Sequence, residues 1–268
     1  MPDRNFLRQL AADTIKIAEN GYYIIGNRKI VLSIEDRNHY YENFNFLPRE
    51  LKGNTIFENT KYLIKNESVI KTIHSFKKNG LSLGVLNFAS AYHPGGGFIN
   101  GAMAQEEVLA YCSDLYRTLT SDISSQYYEK NKNAKSTTYT DGIVITNNLF
   151  FRDQNYSLIR APTACTVLTC PAVNMNNVYK AGISVNTAKR ITKNRMRNVL
   201  YMFAYSGCTD IILGAWGCGV FKNNAEDIAR NWKELLIDEN LQKYFNSVTF
   251  TVLDKTGNNI SPFYKYFE

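Results

Sequence analysis

The length, composition and charge of the chain limit the kind of protein it can be. It has 268 residues, of which 44% are hydrophobic and 21% are charged. This is the composition of a folded globular protein, and it excludes a disordered or fibrous one. The 31 basic and 24 acidic side chains leave a net charge of +7, which helps to attract a polyanion but is also common on proteins that bind none. The longest apolar runs fall well short of the roughly 20 residues that a membrane-spanning helix needs.

The cysteines and the N-terminus bear on the compartment. Five cysteines is an odd number, and none of them shows C-x-x-C spacing, so we expect reduced, mostly buried thiols and no zinc site. The first residues contain no apolar run before a small-residue cleavage site. The lysines at 130, 132 and 135 are interrupted by other residues, and no basic, aromatic stripe predicts a groove for DNA or RNA. We expect a cytoplasmic, monomeric protein.

The predicted elements alternate between helix and strand. In chain order they are a helix over 5–20, a hairpin over 22–25 and 29–34, a helix that is capped by Asn66 and ends before Gly80, a strand over 81–89, a helix over 105–119, strands over 142–146 and 165–170, a helix over 186–205, a strand over 210–215, a helix over 224–237 and a strand over 247–253. Residues 130–140 are polar and predict a surface loop. The alternation predicts a three-layer α/β/α fold around a mixed, largely parallel sheet. We expect one domain over 1–268, with residues 1–60 as an N-terminal extension packed on it.

The first glycine-rich loop runs from the end of a predicted strand at Asn87 into the helix that begins at residue 105. Gly95, Gly96 and Gly97 let the backbone approach a ligand without an intervening Cβ. Open α/β sheets bind ligands in loops at the carboxyl ends of their strands. The alternative is a flexible turn.

Two adjacent carboxylates, Glu106 and Glu107, follow at the start of the predicted helix. Acidic residues at this position also serve simply to complement the helix dipole. Adjacent helical side chains point about 100° apart, so one carboxylate can face a ligand while the other reaches it from the side. Two different roles are therefore available to the pair.

A second glycine-rich loop, residues 214–223, lies between a predicted strand and a predicted helix. Its backbone N–H groups, around Gly217, Cys218, Gly219 and Val220, and the N-terminus of the following helix together favour an anionic phosphate. The alternative is an ordinary tight turn. Trp216 and the tyrosines are more typical of core or rim residues than of stacking platforms.

Three motifs occur in order along the chain. They are Gly95-Gly96-Gly97 followed after seven residues by Gln105-Glu106-Glu107, then Cys170-Pro-Ala-Val-Asn174, and then Gly214-Ala-Trp-Gly-Cys-Gly-Val-Phe-Lys-Asn223. These motifs resemble those of poly(ADP-ribose) glycohydrolases of the compact microbial type, which are built on a macrodomain. The similarity in layout covers nearly the whole chain. A chance match at three ordered sites is improbable.

The resemblance implies a role for each site residue. Glu107 would be the general acid that protonates the leaving ribose oxygen, and Glu106 would hydrogen-bond the ribose hydroxyls. A general acid must keep its proton near neutral pH, which a neighbouring carboxylate and a bound diphosphate favour by like-charge repulsion. Gln105, with the two glycine loops, would contact the substrate. Asn87 would hydrogen-bond a ribose or orient the first glycine loop. Phe221 would pack against the distal ribose; the alternative is a core phenylalanine.

The implied activity is hydrolysis of the ribose–ribose O-glycosidic bonds of poly(ADP-ribose), with ADP-ribose as product and without metal or organic cofactor. Polymer or ADP-ribosylated proteins would be its partners. Two alternatives stay open, a reader that binds ADP-ribose without cutting and a hydrolase of single ADP-ribose units. Both carboxylates argue against the reader. Arg152, Asp153 and Arg160 are candidates for the rim of the pocket, and His93 is assigned no catalytic role.

Overall fold

The computed structural model describes residues 2–33, 37–42, 44, 51, 55–76 and 80–268. The strands in these ranges are β1 (Tyr22–Ile25), β2 (Arg28–Val31), β3 (Asn38–Tyr41), β4 (Lys61–Lys65), β5 (Leu83–Phe88), β6 (Ile143–Arg152), β7 (Leu158–Cys170), β8 (Asp210–Leu213) and β9 (Ser247–Thr251). The helices are α1 (Arg4–Asn20), α2 (Val69–Ser75), α3 (Gln105–Cys112), α4 (Leu115–Leu119), α5 (Asp122–Ala134), α6 (Met175–Lys180), α7 (Val185–Tyr205), α8 (Ala225–Lys233) and α9 (Ser261–Phe267). None of these helices has the length and apolarity that crossing a membrane requires.

Seven of the described strands form one mixed sheet, in the order β3-β6-β7-β5-β8-β9-β4. The five strands from β7 to β4 run parallel, whereas β3 and β6 pair antiparallel at one side. The strands β1 and β2 form a separate antiparallel hairpin. The prediction of a mixed, largely parallel sheet is confirmed.

The two faces of the sheet contribute to two separate cores. Successive residues of a strand point to opposite faces, and in β8 Ile211 packs in one core while Ile212 packs in the other. In β5, Leu86 and Val85 divide in the same way. The first core also contains residues of α7, α8 and α9, and the second contains residues of α1 to α5. Helices therefore cover both faces of the sheet, which confirms the predicted three layers.

The N-terminal helix α1 forms as predicted and packs in the second core, among the helices that cover that face of the sheet. The Asp3 side chain caps it by accepting a hydrogen bond from the Phe6 N–H at 2.8 Å, and Gly21 ends it with φ +70°. The Thr14 hydroxyl donates to the Tyr111 carbonyl of α3 at 3.0 Å. This last hydrogen bond ties α1 to the helix that carries the carboxylate pair.

The predicted helix over 105–119 is wrong, because the chain leaves the helix at Ser113. Ser113 is extended and bridges to Phe150 of β6. The Asp114 carboxylate accepts hydrogen bonds from the Leu149 N–H and the Asn148 amide, both at 3.0 Å. Pairing with β6 therefore replaces one helix with two short ones, α3 and α4.

Other predicted boundaries also differ from the structure. The cap of α2 is Ser68, whose hydroxyl accepts from the Ile70 N–H, while the Asn66 amide donates to the Asp254 carbonyl. The predicted surface loop over 130–140 begins inside α5. The second hairpin strand ends at Val31, and residue 34 lies outside the described residues. Elements that the sequence did not predict are β3, β4, α5, α6 and α9.

All five cysteines are free, as expected. Cys112, Cys165, Cys170 and Cys208 are buried, and Cys218 is half-buried.

Candidate active site

The first glycine loop connects β5 to α3 and wraps around the carboxylate pair. Gly95 and Gly96 have φ of +65° and +60°, a backbone conformation that side chains with a Cβ rarely adopt. A Cβ on Gly96 would lie 2.9 Å from Glu106 Oε2 and closer still to Glu107 Oε1. Glycine is therefore required at Gly96 both for the turn and for the space that the two carboxyl groups occupy.

Glu107 lies in the first turn of α3, with 7% of its surface exposed. Its Oε1 accepts a hydrogen bond from the Gly97 N–H and its Oε2 accepts one from the Ala104 N–H, each at 2.8 Å. The first hydrogen bond ties Glu107 to the glycine loop. The second satisfies a backbone N–H at the helix start that has no partner within the helix. The side chain is thereby fixed between the loop and the helix.

Glu106 is more deeply buried, with 4% of its surface exposed. Its Oε2 accepts from the Ser90 N–H at 2.7 Å, and its Oε1 accepts from the Asn87 amide at 3.3 Å. Burial raises the pKa of Glu106 to about 8, the charge of Glu107 adds to this, and the hydrogen bonds from Ser90, Asn87 and the Gly95 backbone oppose it. At neutral pH Glu106 therefore keeps a proton. From the sequence alone, the carboxyl group expected to keep a proton was that of Glu107.

The amide N–H groups of Asn87 and the polar atoms of Gln105 form hydrogen bonds within the protein, behind the carboxyl pair. The Asn87 Oδ1 atom is buried without a hydrogen-bond partner. Asn87 is fully buried and donates to Glu106 and, at 3.2 Å, to the Thr169 hydroxyl. The Gln105 amide accepts from the Phe88 N–H at 2.9 Å and donates to the Leu86 carbonyl at 2.7 Å. Asn87 thus orients Glu106, whereas the sequence led us to expect either a ribose contact or support of the first glycine loop. The polar atoms of Gln105 fasten α3 to β5.

The second glycine loop, residues 214–223, lies between β8 and α8, and we call it the phosphate loop. Gly217 has φ +75°, and a Cβ there would lie 2.6 Å from the Ala172 Cβ. The Asn223 amide donates to the Val173 carbonyl at 2.7 Å, and the Asn223 N–H donates to the Gly217 carbonyl at 3.1 Å. The loop is thus tied to the segment after β7, and its glycine permits the close approach.

One cleft of about 310 Å³ brings the two loops together. The predicted site residues that line it are Gly96, Gln105, Glu106, Glu107, Gly217, Gly219, Val220 and Phe221. Four predicted residues do not line this cleft: Asn87, Gly95, Gly97 and Cys218. Residues that sequence reasoning missed are Phe88, Ala89, Ser90, Ala104 and Ala215. They lie close in sequence to predicted residues, but alanine and phenylalanine side chains carry no chemical signal of their own, and Ser90 contributes its backbone N–H to Glu106.

A second cleft of about 330 Å³ adjoins the first and shares five lining residues with it. Its walls include the apolar Met103, Val108 and Val252 and the polar Glu67 and Asn259. Cys218 lines this second cleft. Among the described residues, no lysine or arginine lines either cleft. An anion in the first cleft would therefore be held by backbone N–H groups of the phosphate loop, without a salt bridge. The N-terminus of α8 does not line this cleft.

The remaining candidates lie away from the clefts. Arg152 is buried, donates to the Tyr156 carbonyl at 2.9 Å and pairs with Asp13. None of the three candidates for the rim, Arg152, Asp153 and Arg160, lines either cleft. His93 is exposed. Trp216 is fully buried and stacks on Trp232, as expected for a core residue. Within the described ranges, no three His, Cys, Asp or Glu side chains gather as a metal site.

Comparisons with known proteins agree with this geometry. The family described as "Microbial-type PARG, catalytic domain" matches residues 11–153. The poly(ADP-ribose) glycohydrolase (PARG) of Thermomonospora curvata is 29% identical, with a TM-score of 0.89 over 98% of this chain and 100% of that one. The same T. curvata protein bound to the inhibitor ADP-HPD is also 29% identical, with a TM-score of 0.86 over 98% and 99% of the two chains.

A second bacterial structure is similar as well. The PARG of Deinococcus radiodurans in complex with ADP-ribose is 33% identical, with a TM-score of 0.81 over 86% of this chain and 94% of that one. No curated protein matches the chain. The family match spans more than half of the 268 residues and includes the first glycine loop with both glutamates. The chain belongs to the family of microbial-type PARG catalytic domains, which are glycosidase-type hydrolases.

Proposed function

We propose that this chain hydrolyses the ribose–ribose O-glycosidic bonds of poly(ADP-ribose) and releases ADP-ribose, with Glu107 as the general acid. One observation carries the assignment of the site. Two buried carboxyl groups face the phosphate loop across a single cleft. A diphosphate held by that loop would place the adjoining ribose at the carboxyl pair.

The two clefts suit the two ends of an ADP-ribose unit. We propose that the diphosphate lies against the backbone of Gly217 and Gly219, and that the distal ribose lies between Phe221 and the carboxyl pair. The adenosine end would then occupy the second cleft. Apolar walls with a few polar groups are the usual surroundings of a bound aromatic base.

The two glutamates would perform different tasks. The protonated Glu106 donates a hydrogen bond to a ribose hydroxyl, and Glu107 protonates the ribose oxygen that leaves as the glycosidic C–O bond breaks. Water then adds to the oxocarbenium-like carbon and loses its proton to the Glu107 carboxylate, which restores the acid. The step needs a proton on Glu107 in addition to the one on Glu106. The negative charge of the bound diphosphate favours uptake of that second proton, because no described lysine or arginine lines the clefts to neutralise the charge.

The proposed reaction is distinguished from the two alternatives by its products. Purified protein is incubated with labelled poly(ADP-ribose), and separately with a protein that carries single labelled ADP-ribose units. Free ADP-ribose from the polymer supports the proposal. Intact polymer at stoichiometric enzyme, together with measurable ADP-ribose binding, would indicate a reader. Release only from the singly modified protein would indicate the mono-ADP-ribosyl hydrolase.

We also propose that the protein acts in the cytoplasm as a monomer. Its five free cysteines, four of them buried, suit a reducing compartment.

A further inference from the structure

A row of three aromatic side chains joins the two loops of the catalytic cleft. Tyr92 belongs to the first glycine loop and Phe221 to the phosphate loop. Tyr139, from the segment between α5 and β6, lies between them. Its ring centroid is 5.4 Å from that of Tyr92, edge to face, and 6.0 Å from that of Phe221. One side chain from a third segment thus contacts both walls of the cleft.

The backbone of Tyr139 adopts an unfavourable conformation. Its φ is +65°, in the left-handed region that a bulky residue rarely occupies. Such a conformation persists only where the surroundings hold it, and it occurs preferentially at functional sites. The Tyr139 ring is nevertheless buried, with 7% of the residue exposed. The strained turn therefore serves to place this ring inside the molecule.

A buried arginine holds the Tyr139 turn from both sides. Arg195 of α7 is 1% exposed and donates to the Thr138 carbonyl at 3.0 Å and to the Asp141 carboxylate at 2.8 Å. Its third contact, at 2.9 Å, is with the Pro171 carbonyl at the end of β7. The turn that carries Tyr139 is thereby fixed to the central sheet.

Hydrogen bonds link the backbone of Tyr92, which the Tyr139 ring contacts, to the carboxyl pair. The Tyr92 N–H donates to the Ser90 hydroxyl at 3.2 Å, and the Ser90 N–H donates to Glu106 at 2.7 Å. On the other wall, the Phe221 carbonyl accepts from the Met175 N–H at 2.9 Å. Displacing the Tyr139 ring would therefore break the aromatic row that joins the two walls.

We propose that Tyr139 is a positioning residue, whose ring, held by Arg195, fixes the spacing between Phe221 and the loop that supports Glu106 and Glu107. Tyr139 does not line the catalytic cleft, so it acts through Tyr92 and Phe221. The proposal rests on the function proposed above. Loss of the ring would misalign the distal ribose, while most contacts of the diphosphate and the adenosine end remain. Misplacement of reacting groups lowers the rate of the chemical step more than it weakens binding.

Two substitutions distinguish the effect of losing the Tyr139 ring from the effect of the left-handed backbone at this position. Tyr139→Phe keeps the ring and loses only the hydroxyl, which accepts from the Asn174 and Asn177 amides at 3.4 Å. Tyr139→Asn removes the ring, yet asparagine tolerates the left-handed backbone, so the turn can still form. Tyr23→Asn is the matched control. It removes a buried tyrosine ring of the N-terminal hairpin, which packs on Phe151 of β6 and lies away from both loops.

Each variant is first titrated with ADP-ribose, which counts the binding-competent sites, and kcat and KM on labelled poly(ADP-ribose) are then expressed per site. We expect Tyr139→Asn to lower kcat by at least about tenfold, to change KM by less than about threefold, and to weaken ADP-ribose binding about fivefold. Tyr139→Phe and Tyr23→Asn should stay within about threefold of the parent in all three quantities.

Equal values per site for Tyr139→Asn and Tyr139→Phe would overturn the positioning role, as would a loss explained by fewer binding-competent sites alone. If the parent protein binds ADP-ribose without cleaving polymer, the proposed function fails. The ADP-ribose affinities then decide the positioning role, which fails unless Tyr139→Asn alone is weakened.

Discussion

The buried carboxyl group of Glu106 should make the stability of this protein depend on pH. The group keeps its proton in the folded protein up to a pKa of about 8, whereas its ordinary value is 4.5. Between these values the unfolded chain has released the proton and the folded chain still holds it. Stability therefore falls as the pH rises from about 5 to about 8 and levels off above that.

The size of this effect follows from the two pKa values. Each unit of difference corresponds to about 1.4 kcal/mol, so about 3.5 units give a fall on the order of 4–5 kcal/mol in the free energy of unfolding. Glu106→Gln removes the ionisation and with it this part of the pH dependence. The glutamine carbonyl can still accept from the Ser90 N–H, and rotation of the Asn87 amide would turn its unpaired Oδ1 towards the new amide group.

The assay is urea unfolding of the parent and of Glu106→Gln at pH 5.5, 7.0 and 8.5 under reducing conditions. The parent should lose several kcal/mol more than the variant across this range, because the other titrating groups are common to both proteins. If the glutamine packs imperfectly, the free energy of unfolding of the variant is lower by the same amount at every pH. The difference in pH dependence between the two proteins is then unchanged. Parallel curves would refute the statement that Glu106 is protonated in the folded protein at neutral pH.

Three further predictions concern the ligand. ADP-ribose binding should weaken about tenfold between pH 7 and pH 9, because ionised Glu106 repels the diphosphate, and calorimetry should show no such change in Glu106→Gln. Gly96→Ala should lower turnover at least about 100-fold, because its Cβ would displace both carboxyl groups; near-parental kcat in a folded variant would contradict this. Raising NaCl from 50 to 300 mM should change the Kd of ADP-ribose less than about threefold, since no described lysine or arginine lines the clefts, and a steep salt dependence would disagree.

Local patterns in the sequence account for the features of the fold that were predicted. The central parallel strands are short apolar runs between helices, and α1 carries its own periodicity and its terminal glycine. The two glycine loops were placed at strand ends, and parallel strands bring such loops to the same edge of a sheet. Their meeting in one cleft therefore follows from order along the chain.

The features that were missed depend on contacts between distant segments. The break at Ser113 arises because Asp114 hydrogen-bonds to β6, some 35 residues farther along the chain. The retained proton lies on Glu106 because the folded chain buries that carboxyl group and raises its pKa, which a pair of adjacent glutamates does not reveal. Tyr139 lay in a stretch whose polarity predicted a surface loop, and only the packed structure shows its ring between the two ligand loops.

The most direct test of the proposed mechanism is the substitution Glu107→Gln, assayed with labelled poly(ADP-ribose) and with ADP-ribose binding on the same preparation. Glutamine preserves the shape of the side chain but cannot donate the acidic proton. We predict that free ADP-ribose is no longer released, while the Kd for ADP-ribose stays within about threefold of the parent value. Release of ADP-ribose at a rate comparable to that of the parent would contradict the assignment of Glu107 as the general acid.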